Sequence, residues 1–327
     1  VADVRTTYLG LTLKNPLVVA SSGLTRDVEG IKKHAEAGAA AAVVKSLFEE
    51  QIDYDARNMI EGIDHSSHAD AFDFLTHASK DYYIDSYLET VERAKDAVNI
   101  PIIASVNCKS DGAWIEYADR FEAVGADALE LNVFVVPSDE TRSSEEIEQI
   151  YLDILSKVQR EVSIPVALKI GPHFTSMAGF MKRLDEGGAD GLVLFNRFYK
   201  TDIDVNYMVA KSGSIMSVPE EAAVPLQWTA LMAGRLACDI CSNTGIHDGD
   251  GVIKQLLAGA KCVQLCSAIL KNGSGVLSEM ERRLEQWMEE KQFDTIESFR
   301  GKLSFTGEGP SDVWERSQYI KAICGIS

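Results

Sequence analysis

Two lysines and three asparagines of this chain share one position in its pattern: each stands at or near the end of a short apolar run. Lys45 closes AAAVVK, Asn107 closes IPIIASVN and Asn132 closes DALELN, while Lys169 lies in IPVALKI and Asn196 closes DGLVLFN. An ammonium at the end of an apolar strand is costly to hold unless it meets an anion or water. Two such lysines with three amides predict a pocket for a polar, planar, partly anionic ligand. The alternative is a set of ordinary solvated strand ends.

One repeated signal introduces the runs. Ala37-Gly38-Ala39, Val124-Gly125-Ala126, Gly187-Gly188-Ala189 and Ala258-Gly259-Ala260 each precede a short apolar strand. Each reads as a helix end, a glycine that turns the chain, and a strand. The four strands end in Lys45, Asn132, Asn196 and Ser267. Polar residues gathered at the C-terminal ends of parallel strands are how a (β/α)8 barrel builds its active mouth. Strands are predicted at 17–20, 41–45, 100–107, 127–132, 164–170, 190–196, 238–242 and 261–266, with helix-length segments between them. The expected fold is therefore α/β, a single (β/α)8 TIM barrel with an N-terminal β-hairpin over 3–14 turning near Gly10. Helices are expected at 84–97, 226–236 and 275–290 among others, and long loops at 46–80, 133–144 and 197–225 cover the mouth. The barrel domain is expected to span 1–304, and a C-terminal extension, 305–327, packs on it or serves an interface.

The last two strands add a phosphate-site candidate. They run into SNTGIHDGDG and CSAILKNGSG, with Thr244, Gly245 and Ser267 as the cradle. Cys238 and Cys241 form a CxxC, but three-residue spacing in a strand sends the two thiols to opposite faces. The six cysteines thus read as structural, with Cys266 facing the site and no metal centre expected. His65 and His68 flank two serines in the first long loop and read as acid–base or substrate contacts, as a metal pair, or as surface residues. His173 follows Gly171-Pro172 close to the mouth.

The chain has 327 residues, 46% of them hydrophobic, enough for one large core. A formal net charge of −18 disfavours nucleic acid and anionic lipid as partners. With no early basic-plus-apolar segment and no apolar run long enough for a bilayer, a cytoplasmic protein without membrane contact is expected.

In the order and spacing of NPLVVASSG, VVKS, DYYIDSYLE, ELN, VALKI and TGIHDGDGVIKQLLAGAKCVQLCSAI, the chain resembles the dihydroorotate dehydrogenases of pyrimidine biosynthesis, especially the soluble class of FMN barrels. The resemblance implies an FMN cofactor. It places Ala20, Ser21 and Gly23 on the flavin, Lys45 and Ser46 at the junction of flavin and substrate, and Lys169 at the pyrimidine edge of the ring system. Asn107 joins the cofactor contacts, Asn132 and Asn196 the substrate shell, and Thr244, Gly245, Cys266 and Ser267 the phosphate side.

The substrate side departs from the family pattern. Val135 stands where the soluble enzymes carry a cysteine base, Pro137 replaces an asparagine, and His65-Ser66-Ser67-His68 occupies the region of a second substrate motif. Ser138, Asp139, His65 and His68 are the replacement bases to consider, and Arg197 is a candidate clamp for a substrate carboxylate. The implied function is an FMN-dependent oxidoreductase that moves hydride from a small anionic substrate to flavin N5. That substrate is dihydroorotate if the family activity is kept. A different substrate, a non-enzymatic flavin-binding or assembly subunit, and a phosphate-binding lyase or isomerase barrel are the alternatives. A homodimer and a separate electron-transfer partner are the implied assembly.

Overall fold

The computed structural model describes residues 2–50, 52, 54, 69–108, 111–197, 201–305 and 314, and only the backbone of 69–80, 111 and 112. After a hairpin of β1 (Thr6–Tyr8) and β2 (Leu11–Leu13), eight strands form the barrel. They are β3 (Leu17–Val19), β4 (Ala41–Val43), β6 (Ile102–Asn107), β7 (Ala128–Asn132), β8 (Val166–Ile170), β9 (Gly191–Leu194), β12 (Asp239–Asn243) and β13 (Cys262–Leu265). All neighbours are parallel, and pairing of β4 with β6 closes the ring. The (β/α)8 fold expected from the repeats is the fold observed.

The period of two sorts the strand residues. Leu17, Val19, Ile102, Leu129, Leu131 and Leu168 join the core under the helices. Val18, Val43, Ile103, Ala128, Ala167 and Val193 form a second cluster with Tyr8, Leu9 and Leu13, so the hairpin plugs the bottom of the barrel.

The four repeated glycines all have left-handed backbones, with φ of +111° at Gly38, +84° at Gly125, +93° at Gly188 and +114° at Gly259. Most side chains resist that conformation, so the repeat is a conformational requirement. Two copies continue with aspartate, and each carboxylate reaches back to the preceding strand. Asp127 accepts from the Ile102 amide at 2.7 Å, and Asp190 from the Val166 amide at 2.8 Å. Each bond satisfies the first N–H of a buried strand. Asp190→Ala strands the Val166 donor and is expected to cost about 1–3 kcal/mol, read as a lower urea midpoint at unchanged slope. A midpoint equal to wild type would mean that water replaces the carboxylate.

Nine helices among the described residues cover the barrel: α1 (Val28–Glu36), α2 (Ala69–Ala97), α3 (Asp111–Ala123), α4 (Ser144–Glu161), α5 (Met177–Glu186), α6 (Ala223–Met232), α7 (Gly249–Ala258), α8 (Ser267–Asn272) and α9 (Val276–Glu290). Asp27, Ser143 and Asp248 cap α1, α4 and α7 by accepting backbone N–H bonds. None of the helices is long and apolar enough to cross a membrane.

Three sequence expectations are corrected. The helix expected at 84–97 begins at Ala69, because acids scattered among its aromatics blur the helical period. Within the same expected loop, β5 (Leu47–Phe48) pairs with Val106 and Asn107. The expected loop 197–225 contains a hairpin, β10 (Thr201–Asp204) with β11 (Val209–Ser212), and α6 already starts at Ala223. Pro225 in the first turn of α6 is compatible with helix because the first N–H groups have no intrahelical partner. In the C-terminal segment, Phe305 N–H donates to the Ala230 carbonyl at 2.7 Å, and Gln227 donates to the Trp314 carbonyl at 2.7 Å. These two described residues lie against α6.

Candidate active site

Climbing a barrel strand two residues at a time moves along its inner face by about 6–7 Å per step. On β7 the inward series is Ala128, Glu130, Asn132; on β8 it is Ala167, Lys169; on β6 it is Ile103, Ser105, Asn107; along β13 it is Cys262, Gln264, Cys266. The interior therefore passes from apolar to ionic to amide-lined as it rises to the mouth.

The middle layer is a closed set of three. Lys169 Nζ lies 3.3 Å from Glu130 Oε1 and donates to Gln264 Oε1 at 2.9 Å, and Gln264 Nε2 donates to Glu130 Oε2. Their exposures are 5%, 1% and 1%, so neither charge is left to water. A buried ammonium is tolerated only with such pairing.

Above this layer opens a cavity of about 480 Å³. Lys169 and Gln264 are on its wall, while Glu130 lies behind them. Ala20, Ser21, Gly23, Lys45, Ser46, Asn107, Asn132, Asn196, Arg197, Thr244, Gly245, Cys266 and Ser267 also line it. The structure thus brings together every residue that the sequence assigned to a cofactor. Asn196 Nδ2 donates to Asn132 Oδ1 at 2.6 Å, fixing the two amides against each other. Ser46 Oγ bridges Ser21 Oγ at 2.9 Å and the buried Ser105 Oγ at 2.7 Å.

The other candidates are placed differently. Arg197 donates to the carbonyls of Ser214 and Ile215 at 2.9 and 2.8 Å and pairs with Glu221 at 3.3 Å. Its guanidinium anchors the segment that puts Ile215 and Ser217 on the cavity wall. Ser138 and Asp139 are exposed and outside the lining. Asp139 accepts two bonds from Thr141, which hold its carboxyl below the usual range and make it a weak base. His65 and His68 lie outside the described residues. Cys241 is buried next to Cys262 in the β12–β13 register, and Cys238 lies just before β12 and is half-buried.

Sequence reasoning missed Glu130, Gln264, Phe134, Ile215 and Ser217. A charge in an apolar strand at the same parity as Asn132 was a usable signal for Glu130. No local pattern marks Ser217, which is buried by contacts distant in sequence. Its N–H donates to Ser267 Oγ at 2.9 Å, its carbonyl accepts from Lys271 at 2.7 Å, and its hydroxyl lies 3.0 Å from His247 Nε2.

Burial, and then the Lys271 charge, push the His247 pKa below its ordinary 6.5, and burial and Lys33 do the same to His34. Both rings bind a proton less readily folded than unfolded. Their contribution to stability is therefore complete above about 6.5 and is lost as pH falls through the folded values. Urea midpoints should drop between pH 7 and 5, and a His34→Gln, His247→Gln double variant should flatten that slope. An unchanged slope would assign the pH dependence to carboxylates instead.

The family model described as dihydroorotate dehydrogenase matches residues 3–288, all eight barrel strands included. A dihydroorotate dehydrogenase B (NAD(+)) catalytic subunit from Thermoplasma volcanium is 28% identical over 308 residues, covering 92% of this chain and 98% of the relative. The NAD-dependent dihydropyrimidine dehydrogenase subunit PreA of Escherichia coli is 23% identical over 342 residues, covering 97% of this chain and 80% of the relative. A chloroplastic dihydropyrimidine dehydrogenase (NADP(+)) of Arabidopsis thaliana is 24% identical over 331 residues, covering 91% and 76%. With a family match that takes in the whole barrel, the chain belongs to the dihydroorotate dehydrogenase family.

Proposed function

We propose that this barrel is an FMN-dependent oxidoreductase that takes hydride from a small, flat, polar substrate. The observation that carries the reading is the ionic layer under a ring of amides: Lys169 and Gln264 on the cavity wall, with Asn107, Asn132 and Asn196 around the mouth. The residues present fit the cofactor. The cavity's volume of about 480 Å³ is that of a ligand site. Nothing lies within 4 Å of a Cβ built on Gly23, so a ring can lie directly on that backbone. FMN supplies a two-electron acceptor when bound.

The chain's own residues do the remaining work. Lys169, held by Glu130 and Gln264, directs a cation to the edge of a ring that gains electron density. Thr244, Gly245 and Ser267 receive the phosphate end. Asn132 and Asn196 orient the substrate by its carbonyl and N–H groups. Lys45 has no ion-pair partner among the described residues and is left for an anionic group. Phe134 lines the substrate side.

A second reading keeps the cofactor and changes the substrate. Val135 is favoring evidence, because an alkyl group cannot take the proton that leaves with oxidation of a ring C–C bond. Its backbone N–H donates to Tyr151 Oη at 3.3 Å, so the loop is fixed with this apolar side chain in place. Relatives named as a catalytic subunit and as subunit PreA support a separate electron-transfer partner, and the homodimer and cytoplasmic placement belong to the same proposal.

The test is acid release of flavin, followed by anaerobic titration with dihydroorotate and with dihydrouracil. Bleaching by dihydroorotate on a turnover timescale supports the family activity. Bleaching by dihydrouracil or only by dithionite supports the changed substrate. No flavin, even after reconstitution with FMN, would overturn the proposal.

A further inference from the structure

We propose that an apolar groove beside the cavity is the second half of the substrate site, so that the substrate is a flat polar ring carrying an aliphatic or aromatic arm. This deepens the flavin reading above and rests on it. The groove encloses about 470 Å³. Phe134 through Pro137 line it together with Ile147, Tyr151, His173 and Phe174.

Four observations point to a substrate arm. Phe134 lines both the groove and the main cavity, so the two lie side by side at this residue. The groove walls follow directly from β7 and β8, the strands that supply Asn132 and Lys169 to the cavity. The groove's described lining is apolar apart from His173 and the Tyr151 hydroxyl, whereas the cavity holds Lys45, Lys169 and Arg197; an occupant spanning both is polar at one end and mostly apolar at the other. Finally, Val136 is 61% exposed and Phe134 41%, on a chain whose next residues, Ser138 to Thr141, are polar and exposed. An apolar patch kept open to water beside a ligand cavity marks a binding surface.

The aromatic part of the groove lining is already packed in place. Tyr151 packs edge-on against Phe174 and Phe180, each with ring centroids 5.3 Å apart, and its hydroxyl accepts from the Val135 amide. A preformed apolar surface needs no ordering when an arm arrives.

The test compares uracil with its 5-benzyl and 6-benzyl derivatives by calorimetry on the FMN-loaded protein, its Val136→Asp variant and its Val136→Leu variant. At least one benzyl derivative is expected to bind wild type ten or more times tighter than uracil. Val136→Asp should cut that ratio at least fivefold, and Val136→Leu should keep it. Equal affinities for uracil and both derivatives, or a ratio that survives Val136→Asp, would overturn the inference. Dimerisation that Val136→Asp abolishes, with no benzyl preference, would assign the groove to a second copy and also overturn it. Failure to load FMN is seen before any probe is added and counts against the flavin reading alone.

Discussion

Lys169→Met is expected to lower stability by about 3–5 kcal/mol, since it leaves the Glu130 carboxylate as a lone buried charge. Glu130 is 1% exposed, and its other partner, Gln264, supplies a neutral amide. Against a total of about 5–15 kcal/mol for a typical domain, the loss brings the protein near its unfolding threshold. The double variant Glu130→Gln, Lys169→Met removes both charges and should recover most of it. Urea denaturation of the single and double variants measures the coupling directly. Flavin content separates structure from function: the double variant should be stable yet retain less FMN, because the cation on the cavity wall is gone. A single variant within about 1 kcal/mol of wild type would show that no charge pair is present.

Gly245→Ala is the second large effect. Gly245 has φ +79°, and a Cβ there would lie 2.2 Å from the Ala222 nitrogen and 2.7 Å from the Glu221 carbonyl carbon. Left-handed backbone alone costs a non-glycine residue about 1–2 kcal/mol. The contact is with backbone, so the segment 219–222 must also move, and a total of about 3 kcal/mol or more is expected. Gly125→Ala is the control, with φ +84° and nothing within 4 Å of its Cβ. It carries only the backbone term. Thermal melts of both, with FMN content, test the comparison; equal losses would mean that the 219–222 segment yields freely. Because the segment just before it carries Ile215 and Ser217 onto the cavity wall, Gly245→Ala should weaken cofactor retention as well, and Gly125→Ala should not.

The barrel was legible in the sequence because its signals are local. A glycine that must turn left-handed, then four to six residues that must be apolar, can be read without knowing the neighbours, and Gly38, Gly125, Gly188 and Gly259 mark half of the strands this way. Much of the cavity lining was legible for a related reason: strand-end residues such as Lys45 and Asn132 are placed by the strand itself. The rest depends on distant contacts. Arg197 follows directly on Asn196, yet its partners are Ser214, Ile215 and Glu221, so its task as an anchor is set by a loop with no pattern of its own. Glu130 was visible as an oddity in a strand, but its meaning depends on Lys169 and Gln264 meeting it across the barrel. Helix α2 was read too short because its polar and aromatic residues fit no single face.

The seam between β3 and β13 orders the assembly of the molecule. Every other neighbouring pair in the barrel joins strands consecutive among the eight, whereas β3 and β13 come from opposite ends of the barrel sequence, with Val263 opposite Leu17. Closing so long a loop is entropically unfavourable until most of the intervening chain is compact. Seven pairings thus zip up as neighbours emerge, and the last seam waits for the C-terminal third of the chain. In pulsed hydrogen exchange during refolding, the amides of Ala20 and Val263, which bond across that seam, should gain protection after those of Leu129 and Asp190. The cavity that the seam completes, with Ala20 on one side and Cys266 on the other, would then form only at the end, so that cofactor capture reports the finished chain.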